Sequence, residues 1–220
     1  MDVKKYSERI IKERVINADS YYLFQKYAAR GSLYFEQGLY ERALEDFDKA
    51  LSIYPYSADL HSSRGVLYFK KGMNDLALAD YNAALKINPQ FSQMYTNRGI
   101  YYNQISQYDL ALKDFNESLR LNPHQPKIYN DRGNIYNRRG EFRRAIEDYD
   151  RAINEDPTLF DAFYNRGIAF SSLKEFSSAI NDFNRALTIQ PSHVGAYFQR
   201  ANVYVLTGRF DEALQDYHQD

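Results

Sequence analysis

Five prolines, Pro55, Pro89, Pro123, Pro157 and Pro191, stand 34 residues apart. A fixed period in the range of roughly 20–50 residues marks a chain made of one supersecondary unit stacked on copies of itself. This constrains the fold more than any other feature, because each position must serve either the unit or the stacking. With the proline set as position 32, the units begin at Phe24, Ala58, Ser92, Pro126, Phe160 and Val194. Position 8 then reads Gly31, Gly65, Gly99, Gly133, Gly167 and Ala201. Position 11 reads Tyr34, Tyr68, Tyr102, Tyr136, Phe170 and Tyr204. Position 20 is alanine throughout, and position 24 is always aromatic: Phe47, Tyr81, Phe115, Tyr149, Phe183 and Tyr217. Position 27 is small in every complete unit: Ala50, Ala84, Ser118, Ala152 and Ala186.

Each unit carries two helical patterns, over positions 1–14 and 18–30. Small and aromatic residues at 4, 8 and 11, then at 20, 24 and 27, keep the three- and four-residue spacing of a single helix face. Glycine at position 15 (Gly38, Gly72, Gly140, Gly208) suits the turn between them, since it accepts positive φ without a Cβ clash. Ser106 and Lys174 fill that slot in units 3 and 5, so those two turns are expected to be built differently. The proline has no N–H and ends the second helix.

This pattern resembles the tetratricopeptide repeat (TPR) family over Phe24 to Asp220, five full repeats and most of a sixth. The resemblance implies an all-α, right-handed superhelical solenoid of antiparallel helix pairs. The repeats are 24–57, 58–91, 92–125, 126–159, 160–193 and a partial 194–220. Two departures stand out. Position 4, usually tryptophan in the family, is Tyr27, His61, Tyr95, Tyr129, Phe163 and Tyr197. Position 7, commonly leucine, is arginine every time: Arg30, Arg64, Arg98, Arg132, Arg166 and Arg200.

Residues 1–23 fall outside the register. Val3, Tyr6 and Ile10 lie at helical spacing, so residues 4–16 read as an amphipathic capping helix. Asn17, Ala18, Asp19 and Ser20 then offer N-cap side chains to the first repeat. At the other end the sequence stops at position 27, with no further helix to cover Ala213, Leu214 and Tyr217. The expectation there is a piece of something longer.

A net charge of −1 and a pI near 6.4 give no global attraction to nucleic acid or anionic membrane. There is no cysteine, which excludes disulfides and thiolate metal sites, and no apolar run long enough to span a bilayer. A soluble, cytoplasmic protein is the default expectation.

Every position-7 arginine is matched 16 residues later by an aspartate: Asp46, Asp80, Asp114, Asp148, Asp182 and Asp216. Position 7 belongs to the packing side of its helix, which favours a structural ion-pair ladder over a charged stripe for a ligand. In the TPR family the ligand surface is a second stripe on the first helix, at positions 2, 5, 6, 9, 12 and 13. Here that stripe varies between repeats and is richest in repeats 3–6, where Asn97, Asp131, Asn134, Tyr164, Asn165, Phe198 and Asn202 form the candidate peptide-binding site. Amides both donate and accept hydrogen bonds and can pair with an extended peptide without reading its sequence. Some family members clamp a C-terminal carboxylate with lysine, arginine and asparagine. This chain keeps only Asn134 and Asn165 of that set, so a chaperone-tail clamp is not expected.

Catalytic chemistry has little support, and no cofactor or metal site is expected. His61, His124, His193 and His218 have no metal-ligand spacing, and the glycines are placed by the repeat. The expected function is a non-catalytic scaffold whose groove holds a peptide or helix of another protein. The alternative is a self-assembly module forming homo-oligomers through its C-terminal edge.

Overall fold

A computed structural model describes residues 18–219, which form twelve α-helices with no strand among the described residues. These are α1 (Ala18–Glu36), α2 (Tyr40–Ile53), α3 (Ala58–Lys70), α4 (Asn74–Ile87), α5 (Ser92–Gln104), α6 (Tyr108–Leu121), α7 (Pro126–Arg138), α8 (Phe142–Glu155), α9 (Phe160–Ser172), α10 (Phe176–Ile189), α11 (Val194–Leu206) and α12 (Phe210–Tyr217). The architecture is the all-α TPR solenoid that the register implies. The chain divides into two compact units, Met1–Tyr101 and Tyr102–Asp220, and the division falls inside α5. The first unit contains the pairs α1–α2 and α3–α4. The second contains α7–α8, α9–α10 and α11–α12.

The proline ends each second helix by acting on the residue before it. Tyr54, Asn88, Asn122, Asp156 and Gln190 have φ between −129° and −137° and ψ between 86° and 101°. The Cδ of the following proline excludes the helical region there. The N–H of each still donates to the position-27 carbonyl, so the helix is closed before it stops.

Position 8 lacks a side chain because the position-24 ring lies against it. A Cβ on Gly31 would come within 2.8 Å of the Phe47 ring, and one on Gly133 within 2.7 Å of Tyr149. The rings at position 24 in repeats 1–5 are fully buried, as are the position-20 alanines. In repeat 6 the corresponding residue is Ala201, and Tyr217 is 42% exposed.

The structure corrects two expectations. First, α1 begins at Ala18, so Ala18, Asp19 and Ser20 lie inside its first turn and do not cap a helix starting at Phe24. No proline precedes Phe24 as one precedes each later repeat, and nothing in the sequence stops the helix from extending upstream. The amphipathic helix expected over residues 4–16 lies outside the described residues.

Second, the turns at Ser106 and Lys174 have the same left-handed geometry as the glycine turns. Their φ values are 60° and 61°, against 74°–76° at Gly38, Gly72, Gly140 and Gly208. The two flanking helices dictate the turn, and the residue conforms at a cost on the order of 1 kcal/mol. Replacing Lys174 by glycine is therefore expected to raise stability by about 1 kcal/mol in a denaturant melt. An unchanged or lowered midpoint would show that the turn carries no strain.

A candidate peptide-binding face

The position-7 arginines determine how the surface is presented, so the ladder comes first. Arg30, Arg64, Arg132, Arg166 and Arg200 each grip the aspartate of their own repeat with Nε and Nη2, at 2.5–2.8 Å. Those aspartates are buried. A second contact runs backwards. Nη1 of Arg64, Arg98, Arg132, Arg166 and Arg200 donates to Asp48, Asn82, Asn116, Asp150 and Asn184 respectively, at 2.5–2.6 Å. These acceptors occupy position 25 of the preceding repeat. The guanidinium groups of Arg64, Arg132, Arg166 and Arg200 thus tie their own helix pairs together and staple them to the ones before. The position-4 and position-11 rings complete the setting: Arg166 lies 5.6 Å from the Phe163 centroid and 5.8 Å from that of Phe170. A planar fork with five donors fits this role, and lysine does not. The position-7 charges are therefore consumed by the scaffold and are not a ligand stripe.

Repeat 2 varies this arrangement. His61 replaces the position-4 aromatic, and its Nδ1 lies 2.7 Å from Asp80 Oδ1 while Nε2 lies 3.0 Å from the Pro55 carbonyl. Burial pushes the Asp80 carboxyl up, but the bonds from Arg64 and His61 outweigh it and leave the group below the ordinary carboxylate range.

In the second unit α7 touches α9, and α9 touches α11, so three first helices form a continuous row. Asn130, on α7, is buried and accepts a hydrogen bond from Asn165 Nδ2 of α9 at 3.1 Å. One turn further along α7, Asn134 Oδ1 accepts from the Tyr149 hydroxyl at 2.8 Å. Burial pushes that phenol well above its ordinary range and keeps it a donor. Asn202 of α11 accepts in the same way from Tyr217, also at 2.8 Å. The Oδ1 of Asn137, beyond Asn134 on α7, is buried and accepts no hydrogen bond among the described residues.

Six of the seven sequence-derived candidates thus lie on this row: Asp131 and Asn134 on α7, Tyr164 and Asn165 on α9, Phe198 and Asn202 on α11. Asn97 belongs to the other unit, where its Oδ1 accepts from Gln93 at 2.9 Å. The two aromatics differ. Phe198 is 53% exposed, with Tyr217 5.9 Å away between ring centroids. Tyr164 is half-buried, stacked on Phe160 at 5.7 Å and packed near His193 and Phe183 at 5.4 and 6.1 Å. Tyr164 therefore helps hold the repeat together, and its removal would weaken the fold as well as the surface. Asn130 and Asn137 are additions that the structure makes to the site. Both were visible in the stripe as amides at positions 5 and 12, but only packing shows which amides are held and which are spare.

Among the described residues no group of side chains could hold a metal ion, and no helix is long and apolar enough to cross a membrane.

The comparisons with known proteins agree with this architecture. Family models described as TPR repeat match residues 31–72 and 133–174, and a tetratricopeptide repeat model matches 58–91, 92–125 and 160–193. A further tetratricopeptide repeat model matches 194–219. No curated protein matches the chain. Among solved structures, the chain resembles PilF of Pseudomonas aeruginosa with a TM-score of 0.76 and 18% identity, over 90% of each chain. It resembles MamA with a TM-score of 0.68 and 25% identity, over 70% of this chain and 91% of that one. It is also similar to YrrB, described as a TPR protein with an unusual peptide-binding site, with a TM-score of 0.69 and 25% identity over 77% of this chain and 88% of that one. From the proline period to the helix pairs and the matched repeats, the chain belongs to the tetratricopeptide repeat family.

Proposed function

We propose that this TPR protein is a non-catalytic interaction scaffold, and that the row of α7, α9 and α11 is the groove that takes an extended peptide of a partner protein. The observation that carries this reading is the set of oriented amides beside an exposed aromatic ring. Asn134, Asn165 and Asn202 are each fixed by one internal hydrogen bond. Each amide has more hydrogen-bonding capacity than that bond uses, which remains for a peptide backbone. Phe198 supplies apolar area for an anchor. The peptide-binding site named for YrrB supports the same use of this fold.

Selection of peptides from a random display library on the immobilised protein tests the reading. Selected peptides are expected to bind a Phe198→Ala variant about tenfold more weakly, with the thermal melt unchanged because the ring is half exposed. Failure to select any peptide, or equal binding to both proteins, would overturn it. The exposed Phe210, Leu214 and Tyr217 favour a second reading, self-assembly through that face. Light scattering on the same samples separates the two, since self-assembly requires mass to rise with concentration.

A further inference from the structure

Asp131 is a carboxylate outside the ladder. Asp46, Asp80, Asp148, Asp182 and Asp216 are buried, and each is held on both oxygens by an arginine. Asp131 is partly buried on the peptide-facing stripe of α7 and has no cation within salt-bridge reach among the described residues. Its surroundings oppose its charge. Burial is the largest influence, and Asp161 on the facing helix α9 adds repulsion. The Asn130 side chain and Lys127, one turn back on α7, pull the other way but do not offset these, and the carboxyl sits at about 6. Its neighbour Asn130 is tied to α9 by the bond from Asn165.

A partly desolvated and unpaired anion is costly to the fold and complementary to a cation that arrives later. Five times over, this fold meets a buried carboxylate with an internal arginine, whereas the partly buried Asp131 has none. We propose that the peptide bound along α7 and α9 presents a lysine or arginine side chain to Asp131, so that this carboxylate selects partners with a basic residue at one register of the groove. The inference rests on the groove reading above and adds to it the chemistry of the occupant.

The same display selection provides the test. Peptides selected on the natural protein are expected to carry lysine or arginine at one aligned position. Changing that residue to glutamine should weaken binding to the natural protein about tenfold and binding to Asp131→Asn less than about twofold. Asn is close in shape to Asp, so the variant keeps the local geometry. Peptides that are selected and depend on Phe198, yet lack an aligned basic residue, would overturn the inference and leave the groove standing. So would a basic residue whose loss is felt equally by both proteins. If no peptide is selected, the groove reading and this inference fall together.

Discussion

Asp148→Ala is expected to lower the unfolding free energy by about 3–5 kcal/mol, the cost of stranding a buried charge. The Asp148 side chain is 5% exposed and takes two bonds from Arg132, at 2.7 and 2.5 Å. Without it, the guanidinium stays half-buried against the Tyr129 ring and retains only Asn116. Asp150 is the control. It too bonds an arginine, Arg166 Nη1 at 2.5 Å, but its side chain is 48% exposed. Asp150→Ala should cost less than about 1 kcal/mol, because water screens the pair and replaces the lost partner. Urea melts followed by circular dichroism compare the two directly. Equal losses would mean that burial does not decide the strength of the ladder. The repeats pack on their neighbours, so weakening the α7–α8 pair alone should also broaden the transition.

Asp131→Asn is expected to do the reverse and stabilise the protein by about 3 kcal/mol at pH 7.5. In the folded chain the Asp131 carboxyl sits at about 6, above its ordinary value of 3.8. The native state therefore binds the proton more tightly than the unfolded state. The contribution of this group to stability falls as pH rises between about 4 and 6, and the penalty is complete above that window. Asparagine carries no charge to desolvate, so the two proteins should melt together at pH 4 and separate progressively up to pH 7.5. The repulsion from Asp161 and the attraction to Lys127 act on the Asp131 charge, so both are lost in the variant and are part of the difference. A variant that is less stable than the natural protein at pH 7.5 would mean that the ionised carboxylate is held favourably. A residue that weakens the fold at neutral pH yet lies on the proposed peptide-binding stripe is what a surface tuned for a partner, rather than for stability, would contain.

Much of this molecule is local chemistry written along the chain. The proline at position 32 forces the residue before it out of the helical region, so the repeat boundaries can be read without any tertiary information. The spacing of glycine, alanine and aromatic side chains specifies which helix faces meet. The arginine and aspartate at positions 7 and 23 pair as their spacing suggests, because a buried charge on one helix requires its counterpart on the next.

Other features depended on where neighbouring repeats come to lie. The position-25 residues Asp48, Asn82, Asn116, Asp150 and Asn184 are plain in the sequence, but their bond to the arginine of the following repeat exists only once two helix pairs are stacked. Ser106 and Lys174 take positive φ because the helices on either side leave the turn no other path. Tyr164 and Phe198 occupy the same repeat position, yet His193, Phe160 and Phe183 surround the first while the second stays half open to solvent. Asp131 reads as one more polar residue on a variable stripe, and packing alone partly buries it without supplying a cation. The sequence by itself determined the repeat, its breaks and its internal ion pairs, since these follow from dihedral sterics and from residues within one unit. Only the tertiary structure decided which surface groups are anchored, spare or desolvated, since burial is a property of the neighbours and not of the residue.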